Sequence, residues 1–321
     1  MRLREQRKFL PFLGRFTTIH LITYGVIGAL FLLVQGLMPE AKRVVLDFFM
    51  PYRSLDLIVL ASQILRGAIM ALVLYPFYDL IVKNEHRGLI LFSVLWGLAI
   101  LGSLEPLPGS IEGFIYTKTT FLEHFVVLVV TALQFILFTW LFLRWEDKSE
   151  GLSSRVAFRG NGIGGYIRRY TLVHVTIYWI VGMLFYQIAG YEELMSQMDV
   201  FQHYRSLDNF IMVFVVFFGQ IARGALIAFL LYPFYKVFVR KEHGWLLLFG
   251  LLFGLKVLGS PIFIIESIEF FTAVDSLSEV MEMLTIGVPE ILAQSFFISI
   301  LFFWWERKRL RNGGVFFSKL S

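Results

Sequence analysis

The 321-residue chain contains no cysteine, which removes disulfides, thiolate nucleophiles and Cys-ligated zinc or iron–sulfur centres from consideration. Charge is scarce as well: 17% of residues are Asp, Glu, Lys or Arg, against about 25% in soluble domains. Hydrophobic residues make up 57% of the chain, Phe alone occurs 35 times, and the mean hydropathy is +0.71. A water-soluble fold of this length could not cover so much apolar surface, because its exterior must still be wetted. These shortages exclude a soluble enzyme, a nucleic-acid binder, a secreted disulfide scaffold and a disordered chain. The alternating ten-residue pattern of an outer-membrane barrel is absent too, as are the His-Glu-x-x-His and Gly-x-Ser-x-Gly signatures of zinc and serine hydrolases.

What is present is a series of long apolar runs. A helical span needs about 20 of them in a row, and candidates fall near residues 17–38, 57–82, 89–104, 121–143, 170–190, 209–239, 246–265 and 286–305. The third is short. The fold class expected is therefore an all-α integral membrane protein of about eight transmembrane helices. The first run is too long for the apolar core of a signal peptide and lacks a small-residue cleavage site after it. Most of the 29 Lys and Arg fall on one side of this layout, including Arg2, Arg4, Arg7, Lys8 and the group at Arg307, Lys308, Arg309 and Arg311. By the positive-inside bias, both termini are expected in the cytoplasm, with the protein in the plasma (inner) membrane.

The chain also repeats itself. Tyr52-Arg53-Ser54-Leu55-Asp56 recurs unaltered as Tyr204 to Asp208, and Gln63-x-x-Arg66-Gly67-Ala68 recurs as Gln220-x-x-Arg223-Gly224-Ala225. Leu74 to Tyr78 matches Leu231 to Tyr235, Glu85-His86 matches Glu242-His243, and Ser110-Ile111-Glu112 matches Ser267-Ile268-Glu269. His20, Tyr24 and Gly28 match His174, Tyr178 and Gly182, while Gln134, Trp145 and Glu146 match Gln294, Trp305 and Glu306. This divides the chain into a basic N-terminus (1–16), a first four-helix repeat (17–145), a Gly/Ser/Arg-rich linker (146–169), a second four-helix repeat (170–306) and a basic tail (307–321). Four spans per copy place both copies in the same sense, so the expected symmetry is a pseudo-twofold axis along the membrane normal. The linker glycines at 160, 162, 164 and 165 read as a connector, since no strand precedes them to make a phosphate loop.

Arg66 and Arg223 are the strongest candidates for function. Arg66 lies about nine residues into its span, roughly 14 Å deep at 1.5 Å per residue. A central Arg disfavours insertion by about 2.5–3.5 kcal/mol, so its appearance twice requires a compensating role. Gln63, Arg66, Gly67, Met70, Ala71 and Leu74 share one helical face, and Gly67-x-x-x-Ala71 and Gly224-x-x-x-Ala228 permit close helix approach. The guanidinium groups then have two readings. They fix the bundle by satisfying loop carbonyls or an internal carboxylate, or they act with Gln63 and Gln220 to bind an anionic group.

Lys256 and Glu290 are ionisable residues inside spans of the second copy, where the first has Ala99 and Val130; a mutual pair would ease the burial of both. Pro76 and Pro233 remove an amide donor within a span and mark a hinge or a kink. His20 and His174 as haem ligands, and the Glu85-His86 and Glu242-His243 loops as a metal site, are weaker readings than hydrogen bonding and solvated loops. The connections at about 39–56 and 191–208 read as amphipathic surface segments. The loops 105–120 and 266–285 offer Glu112 and Glu269 as partners for Arg53 and Arg205.

The function expected is a permease or channel-like protein for a small anionic solute or lipid headgroup. Its binding residues would be Arg66, Arg223, Gln63, Gln220, Lys256 and Glu290. The alternative is a non-transporting scaffold or sensor with structural charges; a lipid-modifying enzyme comes third, because no nucleophile with its base can be assembled. The bilayer is the expected partner, with no nucleic acid, metal or cofactor. A protein partner or homo-oligomer is not read from the sequence.

Overall fold

The computed structural model describes residues 2–39, 57–103, 106–150, 162–188, 204–205, 210–258, 264 and 287–312. Nearly all of these are helical and none belongs to a sheet. The connections at 40–56 and 191–203, the loop 266–285 with Glu269, and residues 151–161 of the linker lie outside the described residues.

In chain order, α1 (Arg2–Leu37) is followed by α2 (Leu57–Leu74), a 3-10 turn (Tyr75–Phe77) and α3 (Tyr78–Val82). Next comes α4 (Arg87–Phe92), which runs into a nine-residue π-helix (Ser93–Leu101), then the short α5 (Ile111–Tyr116) and the long α6 (Phe121–Glu150). The chain continues with α7 (Ile163–Ile188), α8 (Phe210–Leu231), a 3-10 turn (Tyr232–Phe234) and α9 (Tyr235–Arg240). There follow α10 (Gly244–Phe249), its own nine-residue π-helix (Gly250–Leu258) and α11 (Val288–Asn312).

Six described helices are long and apolar enough to cross a membrane: Phe9–Leu37, Leu57–Val82, Phe121–Lys148, Ile163–Ile188, Phe210–Arg240 and Val288–Asn312. The chain is thus a polytopic helical membrane protein. The windows at 89–104 and 246–265 correspond instead to the shorter apolar helices Arg87–Leu101 and Gly244–Leu258. A hydropathy window counts apolar residues and does not see where the helix stops. Here the first one closes at Gly102, whose amide bonds back to the Gly97 carbonyl at 2.8 Å. Val94, Leu95 and Leu98, like Leu251 and Leu255, are fully buried, so these parts of the short helices belong to the core and are apolar for that reason.

Within the first half α1 packs on α2 and α6; within the second, α7 packs on α8 and α11. The glycines expected to permit close approach do so. A Cβ on Gly67 would stand 3.1 Å from the Thr17 Cα, and one on Gly224 3.3 Å from the Thr171 Cα. Between the halves, the π-helix 93–101 packs on α8, the π-helix 250–258 on α2, and the two π-helices on each other. Gly97 receives Leu230, while Gly254 receives Val73, with hypothetical Cβ separations of 2.8 and 2.5 Å. In the register that aligns Gln63 with Gln220, Gly97 aligns with Gly254 and Val73 with Leu230. Phe77 and its aligned residue Phe234 meet edge-on, centroids 5.1 Å apart and planes at 85°.

Pro76 and Pro233 each occupy one 3-10 turn. The missing amide interrupts the α-helical ladder for a single turn, after which α3 and α9 resume. These turns carry the buried Phe77–Phe234 contact, and they lie roughly 15 Å along the helix from the arginines at 1.5 Å per residue.

Candidate functional site

Arg223 is completely buried on α8. Its Nη1 pairs with Glu112 Oε1 and also donates to Gln220 Oε1 at 3.2 Å. Its Nη2 donates to the Ser103 carbonyl at 2.8 Å. Gln220 Nε2 donates to the same Glu112 oxygen at 3.1 Å. The Gln220 carbonyl oxygen also meets His174 Nε2 at 3.2 Å. Because that oxygen can only accept, His174 carries its proton on Nε2 and leaves Nδ1 as an acceptor. Among the described residues, His174 Nδ1, Arg223 Nε and Glu112 Oε2 are buried without a hydrogen-bond partner.

Glu112 comes from the first half, on α5. Ser110 caps this six-residue helix by accepting the Gly113 amide at 2.8 Å, and the preceding turn places Gly109 at φ 87°, a conformation glycine adopts at no steric cost. Ile115 fills a notch at Gly219, where a Cβ would come within 2.4 Å of it. Phe114 stacks on His124 at 3.8 Å. The Tyr116 and Tyr178 hydroxyls bond to each other; burial, reinforced by the Glu112 charge, pushes the Tyr116 phenol up, which keeps it protonated. Arg205 donates its amide to the Tyr116 carbonyl at 2.8 Å and its Nε to the Thr117 carbonyl at 2.7 Å. The expected pairing of Glu112 with Arg205 is therefore corrected: Glu112 faces Arg223, and Arg205 holds loop carbonyls; Arg53 and Glu269 lie outside the described residues.

In the first half Arg66 is 3% exposed and Gln63 Oε1 lies 3.1 Å from His20 Nε2, matching Gln220 and His174. Arg66 lies on α2 and Arg223 on α8. Lys256 is buried, lies within electrostatic reach of Arg223 and Glu112, and makes no ion pair or hydrogen bond among the described residues. Glu290 is elsewhere. It accepts from Gln294 at 3.0 Å and lies against Gly182 of α7. The suggested Lys256–Glu290 pair is not formed, because Lys256 turns to the Arg223 cluster while Glu290 stays at the start of α11.

A second pair of polar centres lies at the opposite end of the bundle. Glu146 is fully buried and accepts from Arg15 Nε at 2.6 Å, Arg15 Nη2 at 3.1 Å and the Tyr78 hydroxyl at 2.8 Å. Glu306, also fully buried, accepts from Arg169, the Tyr235 hydroxyl at 2.7 Å and Arg309 at 3.2 Å. Sequence reasoning left these triads out although every member recurs: Arg15 aligns with Arg169, Tyr78 with Tyr235 and Glu146 with Glu306. That coincident recurrence was the available signal.

Among the described residues no group of His, Asp or Glu could hold a metal ion. A groove of about 360 Å³ lies on the α1–α6 face, lined by Ile27, Leu30, Val34, Leu122, Val126 and Leu133; it is apolar and touches neither arginine. Compared with family models, curated proteins and solved structures, the chain matches none.

Proposed function

We propose that this protein is a permease or channel-like protein for a small anionic solute or lipid headgroup, in a closed form in which the Glu112 carboxylate occupies the anion's place on Arg223. The observation that carries this reading is an imbalance of basic over acidic groups. Two buried basic side chains, Arg223 and Lys256, lie near one buried carboxylate, which pairs with Arg223, and that carboxylate sits on a short helix in a connection, not on a spanning helix. A carboxylate or phosphate group would give both basic groups a partner by charge-assisted hydrogen bonds. Arg66, Gln63 and Gln220 supply the matching polar groups, Glu290 a peripheral one, and the turns at Pro76 and Pro233 are where the spanning helices would bend.

The proposed frame is eight helices in two halves about a pseudo-twofold axis along the membrane normal, with both termini in the cytoplasm of the plasma (inner) membrane. Supporting it are the recurring sequence, the reciprocal Gly97–Leu230 and Gly254–Val73 contacts, the Phe77–Phe234 contact and the one-sided Lys and Arg.

Flux of a panel of organic and inorganic anions into proteoliposomes tests the function, comparing wild type with Lys256→Ala, which installs the residue of the first half. Loss of anion flux with undiminished thermal stability supports a substrate site. A second reading, a non-transporting scaffold, is favoured by Arg223 having its acceptors within the chain. Silence from the wild type across the panel, with Arg223→Gln melting far lower, would select the scaffold.

A further inference from the structure

The two halves differ along one line of side chains. In the register that aligns His20 with His174, Phe12 and Phe16 of α1 correspond to Tyr166 and Tyr170 of α7. All four are fully or almost fully buried and occupy equivalent surroundings: Phe12 packs on Tyr75 and Tyr78 at 5.5 and 5.6 Å, Tyr166 on Tyr232 and Tyr235 at 5.3 and 5.0 Å. The fold therefore needs no hydroxyl at either site. Yet the Tyr166 and Tyr170 hydroxyls are present, buried and without a hydrogen-bond partner among the described residues, an arrangement that costs stability.

These oxygens lie on a continuing face. Tyr166, Tyr170, His174 and Tyr178 follow one another at four-residue spacing, about 18 Å along α7 at 1.5 Å per residue. Tyr170 stacks on His174 at a centroid distance of 6.2 Å, and His174 neighbours Tyr178 at 6.3 Å. The line joins partly exposed groups at both ends. Tyr178 bonds Tyr116, and Tyr166 adjoins Tyr235, which donates to Glu306. Tyr116 itself, in the register that aligns Glu112 with Glu269, corresponds to Ala273. The line equivalent by register, from Phe12 and Phe16 to the position of Ala273, thus lacks three of the hydroxyls.

We propose that α7 carries a proton relay across the membrane, from Glu306 and Tyr235 through Tyr166, Tyr170 and His174 to Tyr178 and, on α5, Tyr116. Each hydroxyl passes on its own proton as it receives another, so no phenolate forms. His174 accepts at Nδ1 and releases the same proton from there. Water molecules supply the links between side chains one turn apart, a role suited to sites with several unpaired polar atoms. Arg223 and Lys256 stand beside His174, so a passing proton meets like charge, partly offset by Glu112. The relay is accordingly slow, and Lys256 sets part of its barrier.

The inference stands apart from anion handling, and one experiment separates them. Proteoliposomes with a pH-sensitive dye inside are given a potassium diffusion potential with no added solute, and the initial rate of proton entry is read. Tyr166→Phe/Tyr170→Phe, which restores the residues of the first half, is expected to slow entry at least about tenfold, equivalent to a barrier raised by about 1.4 kcal/mol, while melting no lower than wild type. Lys256→Ala is expected to speed proton entry severalfold, the opposite of its effect on anion flux. Wild-type vesicles no leakier than protein-free ones, or a double variant that conducts like wild type, would overturn the relay.

Discussion

The two halves share one set of buried polar contacts and differ in another. Arg15, Tyr78 and Glu146 reproduce Arg169, Tyr235 and Glu306 in type and in bonding, whereas Phe12, Phe16 and Ala99 are replaced by Tyr166, Tyr170 and Lys256. The contrast teaches which polar groups the bundle requires. A buried carboxylate with an Arg and a Tyr on it occurs wherever the helices must be tied together. The hydroxyls and the ammonium occur in one half only, in surroundings that the other half fills with hydrocarbon, so packing does not account for them.

The largest effect is expected where the halves agree. Glu146→Ala and Glu306→Ala each strand a part-buried arginine and a tyrosine hydroxyl, and each should destabilise the protein by up to about 3 kcal/mol in reversible unfolding from detergent micelles. A large inequality between them would mean that the recurring triads do unequal work. Next in size, Gly254→Ala forces a Cβ against Val73 and should cost about 1–3 kcal/mol by overpacking. Adding Val73→Ala should recover most of it, and the thermal midpoint of the double variant checks the contact. Gly97→Ala with Leu230→Ala should behave likewise if the interface is reciprocal.

A smaller effect sharpens the difference. Phe12→Tyr or Phe16→Tyr buries a hydroxyl without a partner and should destabilise by about 1–3 kcal/mol. Tyr166→Phe or Tyr170→Phe should be neutral or raise the midpoint. Equal losses from the exchanges in both directions would show that the hydroxyls of α7 contribute to folding after all.

The length of apolar runs located six spanning helices, and a 3.6-residue repeat of apolar and small side chains located the buried face of Arg66, because both are local properties. Recurring stretches such as Tyr52 to Asp56 were legible by inspection. The partner of Arg223 was not legible. Glu112 reaches it across the boundary between halves, from a connection whose position no helical period encodes, and Arg205 beside it looked equally suitable by charge. Lys256 and Glu290 invited pairing because both depart from the first half, but a shared departure says nothing about which helix faces converge. The Tyr166 and Tyr170 hydroxyls were hidden for another reason: one oxygen on a phenyl ring scarcely changes hydropathy. Only its burial beside an equivalent Phe gives it meaning.

The reciprocal notches at Gly97 and Gly254 have a consequence for how such a protein can change. Were each half a separate chain meeting a twin, every substitution at that surface would appear twice, and a lysine at the position of Ala99 would face its own duplicate across the interface. Covalent linkage lifts that constraint. One copy can keep the hydrocarbon that secures assembly while the other departs from it, and the departures at Tyr166, Tyr170 and Lys256 are of the kind that only a fused pair can accumulate on a single side.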